Sequence, residues 1–350
     1  MRVRKLFWWS LVLLTALALA DGYLGSPTAG WGWERFITWG QPQLRPEGPS
    51  AETTGVVEAP MAPGEVLSVS NIRGNLQVTG GAADRLQTRY TITVFAEDEA
   101  AAAQYAEALE VVAVRREEGL VLELIRPAET PPGVQSVAVD YQIAVPRGAR
   151  IQVENRLGQV EVAGVAGPSW VENGYGETVL RNLQGDWSVR TRFSTFQVDE
   201  VRGALVLSGT YSTGRVRNVA GPVTGDVTGS LTVDGAAAVD LDASYTELKL
   251  ARIEGPIDLD LAFGQATIEG LRHDLRAKGS YGDVTVVLDA SAPGFQIAVE
   301  SRGGDVRNGA ALLRGERVVN DRGTSWLEAL VGDGAHRVQI SLRNGHVTLK

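Results

Sequence analysis

Four aspartates offer the most obvious chemistry in this chain. Asp240 and Asp242 alternate with Val239 and Leu241, Asp258 and Asp260 alternate with Ile257 and Leu259, and the second set follows the first by 18 residues. If the two segments are neighbouring strands, all four carboxylates share one outward face, because alternate residues of a strand point the same way. Stacked carboxylates repel one another. A hard cation such as Ca²⁺ would relieve the repulsion, since carboxylate oxygens are its usual ligands. Paired acids are also the machinery of polysaccharide cleavage. A solvated strand face is the third reading, with Lys249 or Arg252 supplying part of the compensating charge. The Gly-Gly-x-Gly-x-Asp repeat of Ca²⁺-binding β-rolls is missing. The solvated face is therefore the expectation, with no resident cofactor and Ca²⁺ as the alternative.

Other catalytic arrangements find no support. The chain has no cysteine, which removes thiolate nucleophiles, thiolate metal sites and disulfides. Its three histidines, His273, His336 and His346, do not stand at metal-ligand spacing. No Gly-x-Ser-x-Gly elbow, P-loop or dinucleotide fingerprint occurs. A formal charge of −9 argues against nucleic acid or anionic lipid as partner. A non-enzyme is expected, and a carbohydrate-active enzyme using the four aspartates is the alternative.

Aromatic residues keep the same spacing as the acids. Tyr175, Phe193 and Tyr211 are 18 apart, as are Tyr245, Phe263 and Tyr281. An exposed stripe of this kind would stack on the sugar rings of a glycan. Buried, it would be core packing worth about 0.5–1.5 kcal/mol per ring contact. Three of the rings precede a glycine directly (Gly176, Gly264 and Gly282), which suits a packed corner, and packing is the expected role.

These residues are positioned by a repeat. Val165-Ala166-Gly167 recurs as an aliphatic-x-Gly pattern ending at Gly185, Gly203 and Gly221, 18 residues apart each time, and continues at Gly255 and Gly270. The six glycines are read as turn residues free to adopt φ > 0. Between them, pairs such as Val160/Val162, Phe196/Val198, Leu205/Leu207 and Val284/Val286 alternate with polar or small residues, the mark of half-buried strands. Helical arrays lack this period-2 pattern, and propeller blades need about 40 residues. The expected fold is all-β: a single-stranded-type β-solenoid, or β-helix, with about 18-residue coils. Each coil would add roughly 4.8 Å to the stack.

Around the regular coils, assigned to residues 146–306, the chain divides into flanking segments. Residues 1–20 have a basic start, an apolar core and Ala18-Leu19-Ala20 before Asp21, which reads as an export signal. The alternative is a membrane tether through residues 6–24. Residues 21–63 read as a linker, first Trp-containing (Trp31, Trp33, Trp39) and then rich in Pro and Gly. Residues 64–145 form an N-terminal β segment interrupted by one capping or inserted helix over 97–117. Within it, Ser70-Asn71-Ile72-Arg73-Gly74 echoes Glu154-Asn155-Arg156-Leu157-Gly158. Residues 307–350 form a C-terminal cap, with strands joined in a hairpin-type turn at Asn344-Gly345.

The form Ser280-Tyr281-Gly282-Asp283-Val284-Thr285-Val286 and the ending Leu342-Arg343-Asn344-Gly345-His346-Val347-Thr348-Leu349 resemble the bacterial "putative adhesin" domain family. The resemblance covers about residues 66–350. It implies a β-solenoid domain of unknown function, commonly behind a signal peptide or anchor, and it brings no catalytic residues. The combined expectation is an exported adhesin-like binding or scaffolding module in the periplasm, at the cell surface or outside the cell. Its partner would be a glycan or an envelope protein; a membrane-tethered envelope-stress accessory is the other non-enzymatic alternative.

Overall fold

The computed structural model describes residues 48–82, 84–309, 314–321 and 323–350. The export signal, its tether alternative and the tryptophan cluster all lie outside the described residues. The described chain is all-β with one short helix, and its strands form one 22-stranded sheet. None of its helices is long and apolar enough to cross a membrane.

The alternation expected from the sequence places one residue in two inside. Strands β8 (Arg150–Leu157), β10 (Ser169–Tyr175), β12 (Trp187–Arg192) and β14 (Leu205–Ile253) pair in parallel, and Val153, Val171, Val189 and Leu207 stand side by side at 18-residue intervals. A second column, Val162, Leu180, Val198 and Val216, runs through β9 (Val160–Ala163), β11 (Glu177–Gln184), β13 (Thr195–Arg202) and β14. All eight side chains are buried. Because like stacks on like, every repeat buries the same faces as its neighbour. The same register continues through β15 (Ile257–Leu271) and β16 (Leu275–Leu288).

β14 is 49 residues long. Drawn straight it would span about 160 Å, so it must bend. The bends fall where φ turns positive: at Tyr211, Asn218, Tyr245 and Arg252, and at Gly225, Gly229 and Gly235.

Both ends depart from sequence order. β2 (Val66–Arg73) and β3 (Leu76–Ala82) pair in parallel with β8 and β9, so Asn71 lies beside Asn155 and Val78 beside Val162. The echo between those two segments is therefore a direct spatial pairing. At the other end β21 (His336–Arg343) pairs on one side with β16 and on the other with β17 (Gly294–Arg302). β22 (Val347–Leu349) is likewise held between β16 and β18 (Val306–Asn308). The last strands of the chain are thus an interior layer. Asn344-Gly345 is consequently no hairpin: β21 and β22 both run parallel to β16, and Asn344 (φ 53) is one more corner.

Two segment assignments need correction. Ser50–Pro60, inside the expected linker, is strand β1, paired antiparallel with β4 (Arg85–Ala96) along its whole length. Composition did not reveal this because Ala51, Val57 and Ala59 bury only one side, against a partner supplied from elsewhere in the chain. The helix is shorter than 97–117. α1 spans Glu99–Glu107, and Asp98 caps it by accepting a hydrogen bond from the Ala101 amide at 2.8 Å. Glu110–Arg116 is instead β5, in a hairpin with β6 (Gly119–Ile125). Its valines at 111, 112 and 114 favour an extended chain. The segment after Asn308, where alternation faded, holds a second antiparallel pair, β19 (Arg314–Asp321) with β20 (Thr324–Gly332), and β20 also pairs with β17.

Candidate functional site

The aromatic residues sit at the corners of the repeat, and they face outward. Phe193, Tyr211, Tyr245, Phe263 and Tyr281 all have left-handed backbones, with φ between 48 and 56. For a bulky L-residue that conformation costs about 1–2 kcal/mol. A hydroxyl just past the ring braces the corner in two repeats. Ser212 donates to the Thr210 carbonyl at 3.1 Å, and Thr246 donates to the Ser244 carbonyl at 2.9 Å.

The six rings form two stacks of three. Tyr175, Phe193 and Tyr211 have centroids 5.5 and 5.4 Å apart; Tyr245, Phe263 and Tyr281 follow at 4.9 and 5.0 Å. Interplanar angles are 15° or less. The spacing read from the sequence is thus realised as ring contact, but the expected burial is not. Tyr211 and Tyr245, each 66% exposed, are the most exposed large hydrophobic residues among those described. At five of the six positions the corner places the ring outside the sheet, because a left-handed residue swings its side chain off the inward alternation; Tyr175, whose φ is not positive, is half-buried. Face-to-face stacking also uses up most ring faces. Phe193 and Phe263 are covered on both sides, so only the end rings keep a free face.

The aspartates do pair as the spacing requires, Asp240 beside Asp258 and Asp242 beside Asp260. The charge of Asp258 and Asp260 is balanced by the next repeat. Arg276 lies 3.4 Å from Asp258 and Lys278 lies 2.9 Å from Asp260. The hydrogen bond to Asp260, reinforced by its charge, holds Lys278 above the usual lysine range. Lys249 and Arg252 are engaged elsewhere, with Glu247 at 2.8 Å and Asp234 at 2.5 Å. Among the described residues no group of three or more acidic or histidine side chains is placed to hold a metal ion. The compensation of Asp258 and Asp260 thus comes from Arg276 and Lys278, where the solvated-face reading looked to Lys249 or Arg252. Two histidines do meet: His273 and His336 are edge to face with centroids 4.8 Å apart, and His336 approaches Asp274 at 3.7 Å. His346 accepts the Asp305 amide at its Nδ1, 3.1 Å away.

The six glycines divide into two kinds. Only Gly185 (φ 82) and Gly270 (φ 66) have left-handed backbones. Gly167, Gly203, Gly221 and Gly255 are needed for close approach, since a Cβ on any of them would run into a backbone carbonyl of the preceding repeat. The left-handed turn at this second corner falls on Asn182, Glu200, Asn218 and Arg252, three residues before each glycine. This yields a paired prediction. Gly270→Ala, with open space around the Cβ, should cost about 1 kcal/mol from backbone strain alone. Gly203→Ala should cost several times more, because hydrogen-bonded layers cannot separate locally. Equal losses of urea midpoint in the two variants would contradict this division.

A column of buried asparagines escaped the sequence reading. Asn71, Asn155 and Asn173 lie side by side under the corners. Asn173 donates to the Gly158 carbonyl (3.1 Å) and Thr178 Oγ1 (3.1 Å), Asn155 to Asn173 Oδ1 (3.4 Å), and Asn71 to the Val139 carbonyl (3.0 Å). The signal was present: each is followed three residues later by a glycine, Gly74, Gly158 or Gly176, that takes the turn at φ 120–135.

No protein-family model and no curated protein matches the chain. Solved structures do. The chain is similar to a putative cell adhesion protein from Clostridium sporogenes (12% identity, 86% of this chain and 99% of that one, TM-score 0.23). It is also similar to putative adhesins from Parabacteroides distasonis (12%, 87% and 98%, 0.38) and Bacteroides fragilis (10%, 85% and 97%, 0.30). These are the designations that the sequence motifs resemble. With TM-scores below 0.5, the chemistry of the site rests on its own residues.

Proposed function

We propose that this chain is an exported, non-enzymatic β-solenoid acting as an adhesin-like binding module of a bacterial cell envelope, with the aromatic corner as its glycan-contacting surface. The observation that carries the reading is the pair of exposed ring stacks. Large aromatics held at positive φ and left open to water oppose what stability alone would favour, and strain of that kind gathers at functional positions. Four ring contacts contribute about 0.5–1.5 kcal/mol each, so they offset only part of the strain of five left-handed residues. The parallel pairing at 18-residue intervals supports the solenoid, a lattice of bonded layers that presents the rings at fixed spacing. Catalysis finds no such support. The four aspartates face outward along strands, and two of them are held in ion pairs.

A glycan and cell-wall fragment array, probed with the full chain and followed by analysis of the recovered ligands, tests the reading. Binding of intact glycans is the expected result. Cleaved ligands would make the protein an enzyme, and an array silent for every glycan would remove the aromatic corner as a carbohydrate surface. Export is tested separately, by fractionating the producing cell and sequencing the mature N-terminus, which is expected at Asp21.

A further inference from the structure

The two ring stacks are interrupted by one repeat, and the interruption has a shape. Tyr211 and Tyr245 belong to layers two apart, and no ring contact joins them. Between them the corner is Thr228-Gly229. The Tyr211 amide donates to Thr228 Oγ1 at 2.7 Å, Thr246 Oγ1 donates to the Val227 carbonyl at 2.9 Å, and a Cβ on Gly229 would meet the Ser212 backbone. Thr228 therefore occupies the position that a ring holds in the layers on either side. Its short side chain leaves a free face of Tyr211 opposite a free face of Tyr245. Two layer spacings separate these faces by roughly 10 Å.

The geometry points to a binding slot for one pyranose ring of a neutral glycan, a proposal that rests on the aromatic corner being a glycan surface. Thickness is the first argument. One ring spans a gap of this size in the stacks on either side, where Phe193 lies 5.5 and 5.4 Å from its two neighbours and Phe263 lies 4.9 and 5.0 Å from its own. A single pyranose ring, whose axial C–H bonds project from both faces, has the thickness to touch both tyrosines. Polarity is the second argument. The walls are aromatic, while the surroundings are polar: Thr228 below, Thr210 and Ser244 beside the rings, and Asp226 and Asp242 exposed on the adjoining strand segments. Ser208 donates to Asp226 at 3.2 Å, and Asp242 has no partner among the described residues. A ring with C–H faces and a hydroxyl edge matches such walls and rim. The two carboxylates select against uronic and sialic acids, whose charge they repel.

The local backbone supplies a clean test. Thr228 precedes Gly229 (φ 116) just as Tyr175 precedes Gly176 (φ 133), and Tyr175 stacks on its neighbour without disturbing the corner. Thr228→Tyr should therefore fill the slot with a seventh ring, at the cost of the hydroxyl that accepts the Tyr211 amide, and its thermal midpoint is measured to establish that the variant is folded. Calorimetric titration of the full chain would use cellohexaose, chitohexaose and hexagalacturonate. The expected result is binding of a neutral hexasaccharide, weaker or absent binding of hexagalacturonate, and loss of binding in Thr228→Tyr. Tyr211→Ala and Tyr245→Ala should each weaken binding about tenfold, the value of one lost stacking contact. Unaltered binding by a folded Thr228→Tyr protein would overturn the slot, while the aromatic corner as a glycan surface would stand. Failure to bind either neutral hexasaccharide would also overturn it. In that case other glycans retained on the array would keep the broader reading alive, and a silent array would end both.

Discussion

A chain ending at Ala335 is expected to lose its C-terminal layers cooperatively, with residues 294–335 becoming sensitive to protease. The deleted piece, β21 and β22, is enclosed between β16 on one side and β17 and β18 on the other. Removing it deletes a layer from the interior of the stack. Val338, Ile340, Leu342, Val347 and Leu349 are all buried, and at about 1.5–3 kcal/mol each they contribute on the order of 10 kcal/mol. Whole domains have a net stability of about 5–15 kcal/mol. β17 would also lose its parallel partner and keep only the antiparallel β20. Limited proteolysis and thermal unfolding of the shortened chain are the measurements. A midpoint within two or three degrees of the full chain, with residues 294–335 still protected, would mean that the enclosed layer is dispensable.

Trp187→Ala should be the most costly single substitution in the central repeats, at about 3–5 kcal/mol. Trp187 is buried to 1% exposure, and its indole N–H donates to the Gln184 carbonyl at 3.2 Å. Its neighbours in the column are Ser169 and Leu205. Ser169 is small and already committed, donating to the Gly167 carbonyl and accepting the Ile151 amide, both at 2.9 Å. The indole therefore stands beside a side chain too small to fill the space its removal would leave. Hydrogen bonds fix the separation of the layers, so the cavity left by alanine cannot collapse, and the Gln184 carbonyl loses a donor as well. Urea denaturation is the measurement, read as a shift of midpoint at constant slope. A loss below about 1 kcal/mol would show that the layers can close over the gap.

The aromatic columns show how far pattern reading reaches. Contact between Tyr175, Phe193 and Tyr211 follows from equal spacing once neighbouring repeats stack in parallel, and rings at 5.4–5.5 Å bear it out. Their outward direction does not follow, because one left-handed residue reverses the inside–outside alternation without changing the count. The glycines carry the same lesson. Aliphatic-x-Gly marked the second corner correctly, but at Gly203 and Gly221 the demand is room for the neighbouring carbonyl, while Glu200 and Asn218 take the positive φ. The acids of the candidate cation site were legible as a face. Their compensation by Arg276 and Lys278 becomes visible only when the repeat after them is laid alongside.

Sequence alone determined the 18-residue period and the pairing it imposes between consecutive repeats, such as Val171 beside Val189 and Asp240 beside Asp258. An 18-residue displacement is a local rule, and hydrogen-bonded parallel layers have little choice but to obey it. Tertiary structure alone decided what happens where the rule stops. β2 meets β8 across 84 residues, and β16 meets β21 across 63. No periodicity encodes such distances; they are set by which exposed edge remains to be paired when the end segments fold back. The same holds for the slot between Tyr211 and Tyr245. A repeat shortened by two residues reads as an irregularity in the sequence, and it becomes a gap between two aromatic faces only once the layers above and below are fixed in place.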